Sequence, residues 1–194
     1  MNLSPLLLTV CLSLACLQAS AAANKATASV KEAAEAQQRI ELMQNFEYSD
    51  EKQCYAVIVP GEEARPILNL LVASYGLPDF DKAALQSALE AAVARGCDVN
   101  ELGQAGLSPL HEAVLFNEPE LVRFLLAHDA DIEQKIQRPD SAVHELNARQ
   151  FLDKLLLLAA EGKGDMRDRS AVQAALAQAE KTRKIKKNKS LSEI

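Results

Sequence analysis

The chain has 194 residues, enough for one modest domain or a short repeat array with flanks. With 27 acidic against 21 basic side chains the net charge is −6, which sets the body against binding nucleic acid or anionic lipid. No Gly-rich phosphate loop, G-x-S-x-G, H-E-x-x-H or Cys-x-x-Cys is present, so the sequence offers no support for catalysis and none for a cofactor or metal.

Residues 1–21 read as a signal peptide. Met1 to Ala23 is free of charged side chains, and the apolar run Leu6 to Ala15 is too short to span a bilayer. Ala19-Ser20-Ala21 behind it supplies an A-x-A cleavage site. No Lys or Arg precedes the run, and Ser13-Leu14-Ala15-Cys16 is close to a lipidation box, which leaves lipid attachment at Cys16 as the rival. Both readings place the mature chain outside the cytoplasm, in the periplasm, secreted, or anchored as a lipoprotein. There its two cysteines, Cys54 and Cys97, either pair in the oxidising medium or pack as small apolar groups.

Residues 22–61 form an N-terminal segment. A small, polar linker precedes Val30 to Phe46, where Val30, Ala33, Ala34, Ile40 and Met43 make the apolar stripe of a helix. Cys54 to Val59 is a short β-prone run stopped by Pro60-Gly61. Helical spacing returns over Glu62 to Tyr75, with Gly76 as the stop, and again over Lys82 to Arg95, which ends at Gly96.

Beyond Gly96 the chain repeats itself. Ser108-Pro109-Leu110-His111-Glu112-Ala113 returns 33 residues later as Ser141-Ala142-Val143-His144-Glu145-Leu146, and Gly96-Cys97-Asp98-Val99-Asn100 returns at the same interval as Asp129-Ala130-Asp131-Ile132-Glu133. In the first copy Gly106 suits a left-handed turn, Ser108 caps a helix and Pro109 sits at its first position. Leu110, Ala113 and Val114 face inward, and Asn117 separates this helix from a second, opened by Pro119 and facing inward through Leu121, Val122, Leu125 and Leu126. This unit resembles an ankyrin repeat, of a short exported bacterial type. The implied fold is all-α: a solenoid of about three repeats over residues 62–183, the outer ones degenerate, with N-terminal flanking helices and one short strand.

The helices on either side of Gly76 read as a first repeat lacking the Thr-Pro-Leu-His opening. A third unit places one helix at Ser141 to Asn147 and another at Leu155 to Glu161, with Pro139 where Gly is expected. Ser170 to Arg183 then closes the array as a half-repeat, and residues 184–194 belong to a basic, solvated tail. His111 and His144 occupy the family's histidine position, which implies a hydrogen bond tying helix to turn rather than metal ligation; His128 is a helix-end residue.

The resemblance implies a protein partner, bound by a monomer without a membrane span. It places the binding face on the turn tips and the inner side of the first helices: Leu102, Gln104, Ala105, Leu107, Leu115 and Phe116 in one repeat, and Lys135, Gln137, Arg138, Asp140, Ala148 and Arg149 in the next. Phe116 is the expected anchor. The alternative for this apolar face is cover by the N-terminal helix. An immunity-type inhibitor of a secreted toxin fits such a protein. The alternative function is an enzyme or other activity in residues 28–77, with the repeats as a targeting scaffold.

Overall fold

The computed structural model describes residues 47–77 and 80–192, with side chains as far as 185. The expected leader, Cys16 and the Val30 to Phe46 helix lie outside the described residues.

Three short strands, β1 (Glu47–Tyr48), β2 (Tyr55–Val57) and β3 (Arg65–Pro66), form an antiparallel sheet in the order β1-β2-β3. The expected single strand is β2, with Ala56 buried at its centre. Its neighbours are two residues each, too short to show alternation in sequence. Asp50 shapes the β1–β2 turn, its Oδ1 accepting from the backbone N–H groups of Cys54 (2.8 Å) and Tyr55 (2.9 Å). Pro66 pairs with Tyr55 at the sheet edge, where its missing N–H costs no ladder bond.

Six helices follow: α1 (Ile67–Tyr75), α2 (Lys82–Ala94), α3 (Pro109–Phe116), α4 (Pro119–Ala127), α5 (Ala148–Ala160) and α6 (Ser170–Ser192). α1 begins five residues later than its apolar spacing suggests, because Arg65 and Pro66 are held in β3. α2 opens at Asp81, whose side chain accepts from the N–H groups of Ala83 and Ala84. α3 is opened by Ser108 and ended by Asn117 in the left-handed conformation (φ 63°), where no Gly is present.

α1, α3 and α5 stand in one row, α2 packs on α1, and α4 lies between α3 and α6. Buried Ile67, Leu68, Leu71 and Val72 of α1, Leu85 and Leu89 of α2, Leu110, Ala113 and Val114 of α3, and Leu121, Val122 and Leu125 of α4 form the core. Phe151 and Leu152 of α5 and Val172 and Leu176 of α6 extend it. Each such aliphatic side chain contributes about 1.5–3 kcal/mol by leaving water.

The third unit departs from the expected register. Ser141 opens no helix. Residues 141–146 instead turn back along the preceding strand-like segment, with the Ile136 N–H donating to the Leu146 carbonyl and the Glu145 N–H to the Ile136 carbonyl, both at 3.0 Å. Ala142 stands where the first copy has Pro109, and the backbone at Asp140 (φ 64°) and Glu145 (φ 61°) is left-handed. The helix starts at Asn147, whose side chain accepts from the Gln150 N–H while Gln150 caps back. Its N-cap thus comes 39 residues after Ser108 rather than 33. With neither Gly nor Pro in Ala148–Ala160, the run continues as one helix rather than two. α5 takes the place beside α3, and α6 that beside α4, so the expected half-repeat is the outer helix of the third unit. α6 also continues through the basic stretch to Ser192 instead of ending at Arg183.

Cys54 and Cys97 are joined by a disulfide, their Cα atoms 5.2 Å apart. Arg95 reinforces the junction, donating from Nε to the Lys52 carbonyl (2.9 Å). The sheet is thereby fixed to the end of α2 as a cap on the first repeat.

Candidate protein-binding groove

Successive turns are tied together by a device that recurs along the row. Ser108 and His111 cap α3 between them: Nδ1 of His111 accepts from the Ser108 N–H (3.4 Å) and lies 2.8 Å from the Ser108 hydroxyl. An accepting Nδ1 leaves the proton on Nε2, which faces the carbonyl of Leu146, the residue preceding the next helix cap, without completing a hydrogen bond. His111 is fully buried, and burial lowers its pKa from 6.5 to about 4, so the ring is neutral near pH 7.

In the first repeat Asn69 takes the equivalent place and does complete its bond. It is the third residue of α1, as His111 is of α3, and its Nδ2 donates to the carbonyl of Leu107, again the residue preceding the next cap (3.0 Å). A Cβ at Gly103 would come within 2.9 Å of this amide, so glycine there makes room for it. The first repeat lacks the capping opening, since Pro66 stands at its N-cap without a side-chain cap, but Asn69 takes the histidine's place. Asn69 lies 42 residues before His111 rather than 33, which hid the match in the sequence.

Further along the turns, the Gln137 N–H donates to the Gly106 carbonyl (2.9 Å). Gly106 has φ 71°, and a Cβ there would fall 1.9 Å from the Gln137 carbonyl oxygen. Both constraints demand glycine. Asn100 bridges adjacent turns, its Nδ2 donating to the Asp129 carbonyl and its Oδ1 accepting from the Asp131 N–H. The tips that result are exposed and held in fixed register.

Of the residues expected on the binding face, Gln104 and Ala105 form one exposed tip, and Gln137, Arg138 and Asp140 the next. Lys135 is exposed but engaged with Glu145 (3.1 Å), which also accepts from Gln137. Leu102, Leu115, Phe116 and Arg149 are half-buried. Leu107 and Ala148 are corrections: at 4% and 0% exposure they belong to the packing beneath the face and cannot meet a partner. Phe116 lies against the α1–α2 turn, where a Cβ at Gly76 would be 3.6 Å from its own Cβ. Arg149 meets Asp153 at a long 3.6 Å.

The histidines divide. His144 caps no helix; its Nδ1 accepts from the Arg138 N–H (3.2 Å) and ties one limb of the turn to the other. His128 donates from Nδ1 to the Phe124 carbonyl (2.8 Å) at the end of α4.

Two residues on this surface escaped the sequence. Arg169, 3% exposed, donates to the carbonyls of Val114 (2.7 Å) and Leu115 (3.1 Å) and pairs with Asp165, closing the C-terminus of α3 with a cation where the helix dipole favours one. Glu112 sits on α3 one turn before Leu115 and Phe116, half-buried, with Oε2 buried and without a partner. Burial raises its pKa from 4.5 to about 7. On the opposite side, α4 and α6 flank a cleft of about 550 Å³ lined by Leu126, Ile132, Ala175 and Ala179, with Arg183 reaching Glu133 across it (3.3 Å).

Among the described residues no helix is long and apolar enough to cross a membrane, and no three His, Cys, Asp or Glu side chains are grouped to hold a metal ion. Residues 105–136, which span the Gly106 turn, α3, α4 and the start of the next turn, match the ankyrin repeat family. A comparison with curated proteins finds no match.

Proposed function

We propose that this ankyrin-repeat protein is exported and holds one protein partner on the face formed by its turn tips and the inner side of α3, acting in the periplasm by occluding the partner's surface, as an immunity-type inhibitor of a secreted toxin does. The observation that carries this reading is the rigid register of the tips. Gly106, Asn69 and Asn100 lock successive turns to one another, so Gln104, Ala105, Gln137, Arg138 and Asp140 are presented without the entropy cost of ordering loops on binding. Occlusion needs shape and no catalytic group. The Cys54–Cys97 disulfide fits an oxidising compartment, as do the leader-like residues 1–23.

Two measurements test it. Fractionation with N-terminal sequencing should recover a periplasmic chain beginning near Ala22; an intact Met1 in the cytoplasm would overturn export, whereas a lipid-modified Cys16 would move the protein to a membrane surface. Photo-crosslinkers placed at Ala105 and Arg138 in the full chain should trap one protein species, and crosslinks confined to the α4–α6 side would overturn the assignment of the face.

A further inference from the structure

α6 changes character partway along its length. Leu176 is its last buried residue, and from Lys181 to Ile185 every side chain is exposed, yet the helix runs on to Ser192. Residues 181–189 hold six of the chain's 21 basic side chains and no acid, which leaves 15 basic against 27 acidic side chains elsewhere. Charge is thus segregated into a cationic arm on an anionic body. Lys184 and Lys187, Arg183 and Lys187, and Lys186 and Lys189 stand three or four residues apart, where like charges repel across a helix turn and no acid of the arm offsets them. Beyond Arg183 the helix rises about 13 Å to Ser192, at about 1.5 Å per residue, farther than the roughly 8 Å over which the charges of Asp131 and Glu133 act at physiological salt.

Arg183 fixes how the arm is turned. Its Nη1 lies 3.3 Å from Glu133 and 3.7 Å from Asp131, so that side of the helix faces the body. Lys181 and Ile185, one turn apart, fall on the opposite side, with the positions of Lys184 and Lys189 at its margins. Ile185 is 68% exposed, a large apolar side chain set among lysines, and Lys181 and Lys184 meet no acid among the described residues. We propose that this outward face of α6 is a docking surface for an anionic phospholipid bilayer, the lysines meeting lipid phosphates while Ile185 enters the boundary between headgroups and acyl chains. A bilayer offers both chemistries within a few ångströms of each other, whereas an acidic protein segment answers only the charge and leaves the isoleucine in water. Single-stranded nucleic acid is matched by stacking aromatics, of which residues 181–192 have none. The surface lies on the outer helix row, apart from the turn tips, and does not rest on the groove reading.

Sedimentation of the purified chain with vesicles tests this. Vesicles of phosphatidylglycerol and phosphatidylcholine in equal parts should bind it, vesicles of phosphatidylcholine alone should bind it far less, and salt at about 1 M, where the screening length falls to about 3 Å, should release it. Lys181→Gln, Lys184→Gln and Lys189→Gln together should weaken binding to the anionic vesicles by about a hundredfold, at about fivefold per cation. Ile185→Ser should weaken it about tenfold, the worth of a partly buried isoleucine, while leaving binding to soluble polyglutamate unchanged. All four positions lie beyond the last buried residue of α6, so both variants should keep the parent's Tm and its crosslinking through Ala105 and Arg138. Equal binding to neutral and anionic vesicles, or equal binding by the triple variant, overturns the proposal and leaves the groove untouched. Polyglutamate bound as tightly as the anionic vesicles, with Ile185→Ser affecting neither, assigns the arm to an acidic protein and overturns the lipid surface.

Discussion

Two adjacent residues on α3 should oppose each other in the pH dependence of folding. His111, with its pKa lowered from 6.5 to about 4, rejects in the folded state a proton that the unfolded chain accepts between those values, so stability falls as pH drops from about 6.5 to 4. Glu112, raised from 4.5 to about 7, retains a proton that the unfolded chain has released, so its effect is to raise stability as pH drops from about 7 to 4.5. Each displacement corresponds to about 3 kcal/mol. The fully buried His111 keeps that figure; partial exposure of Glu112 reduces its share to about 2 kcal/mol. The parent chain should therefore be nearly flat between pH 7 and 4.5, within about 1 kcal/mol. Glu112→Gln removes one arm of the balance. The variant should be about 2 kcal/mol more stable than the parent at pH 8, the difference should vanish near pH 4.5, and its own profile should fall by about 3 kcal/mol between pH 7 and 4. Urea denaturation at four pH values measures this. Exposed Glu145, Asp165 and Asp168, whose pKa values are lowered by their hydrogen bonds and ion pairs, are common to both proteins and cancel in the difference. A difference between variant and parent that does not change with pH would refute the reasoning, because it would mean that Glu112 titrates alike in the folded and unfolded states.

Gly106→Ala should destabilise by about 3 kcal/mol or more, since it adds strain at φ 71° to a collision with the Gln137 carbonyl, and calorimetry should show a lower Tm with lost protection of the Gln137 amide. Removing the 43-residue cross-link by Cys97→Ser should lower stability by about 4 kcal/mol on loop entropy, and hydrogen exchange should rise first in the strands at 55–57 and 65–66; an unchanged denaturation midpoint would contradict this. Phe116→Ala, at a half-buried site, should cost about 2 kcal/mol of stability, or about 6 °C in Tm, and should also lower the yield of partner crosslinked at Ala105. A fall in Tm with crosslinking unchanged would confine Phe116 to packing against Gly76.

The local chemistry of the second repeat is written in its own residues. Ser108 and Pro109 open a helix, Asn117 and Pro119 separate two, Gly106 must turn left-handed, and the apolar spacing selects the buried faces of α3 and α4; each depends on contacts within a few residues. The third repeat has the same opening motif without the same outcome. At Ser141 the motif competes with pairing to Ile136 and with a complete capping box at Asn147, and the balance is set by residues on a neighbouring strand-like segment rather than by the motif. The roles of Asn69, Arg169 and Glu112 are likewise invisible along the chain, because each is defined by a group 38 to 55 residues away, or by the want of one. Sequence by itself determined the central repeat and the class of recognition it implies, since caps, turns and apolar spacing are short-range. Tertiary structure decided the register of the last repeat, the Cys54–Cys97 cross-link and the burial of the Glu112 carboxyl without a partner at Oε2, since burial and hydrogen-bond satisfaction depend on which elements come to lie side by side.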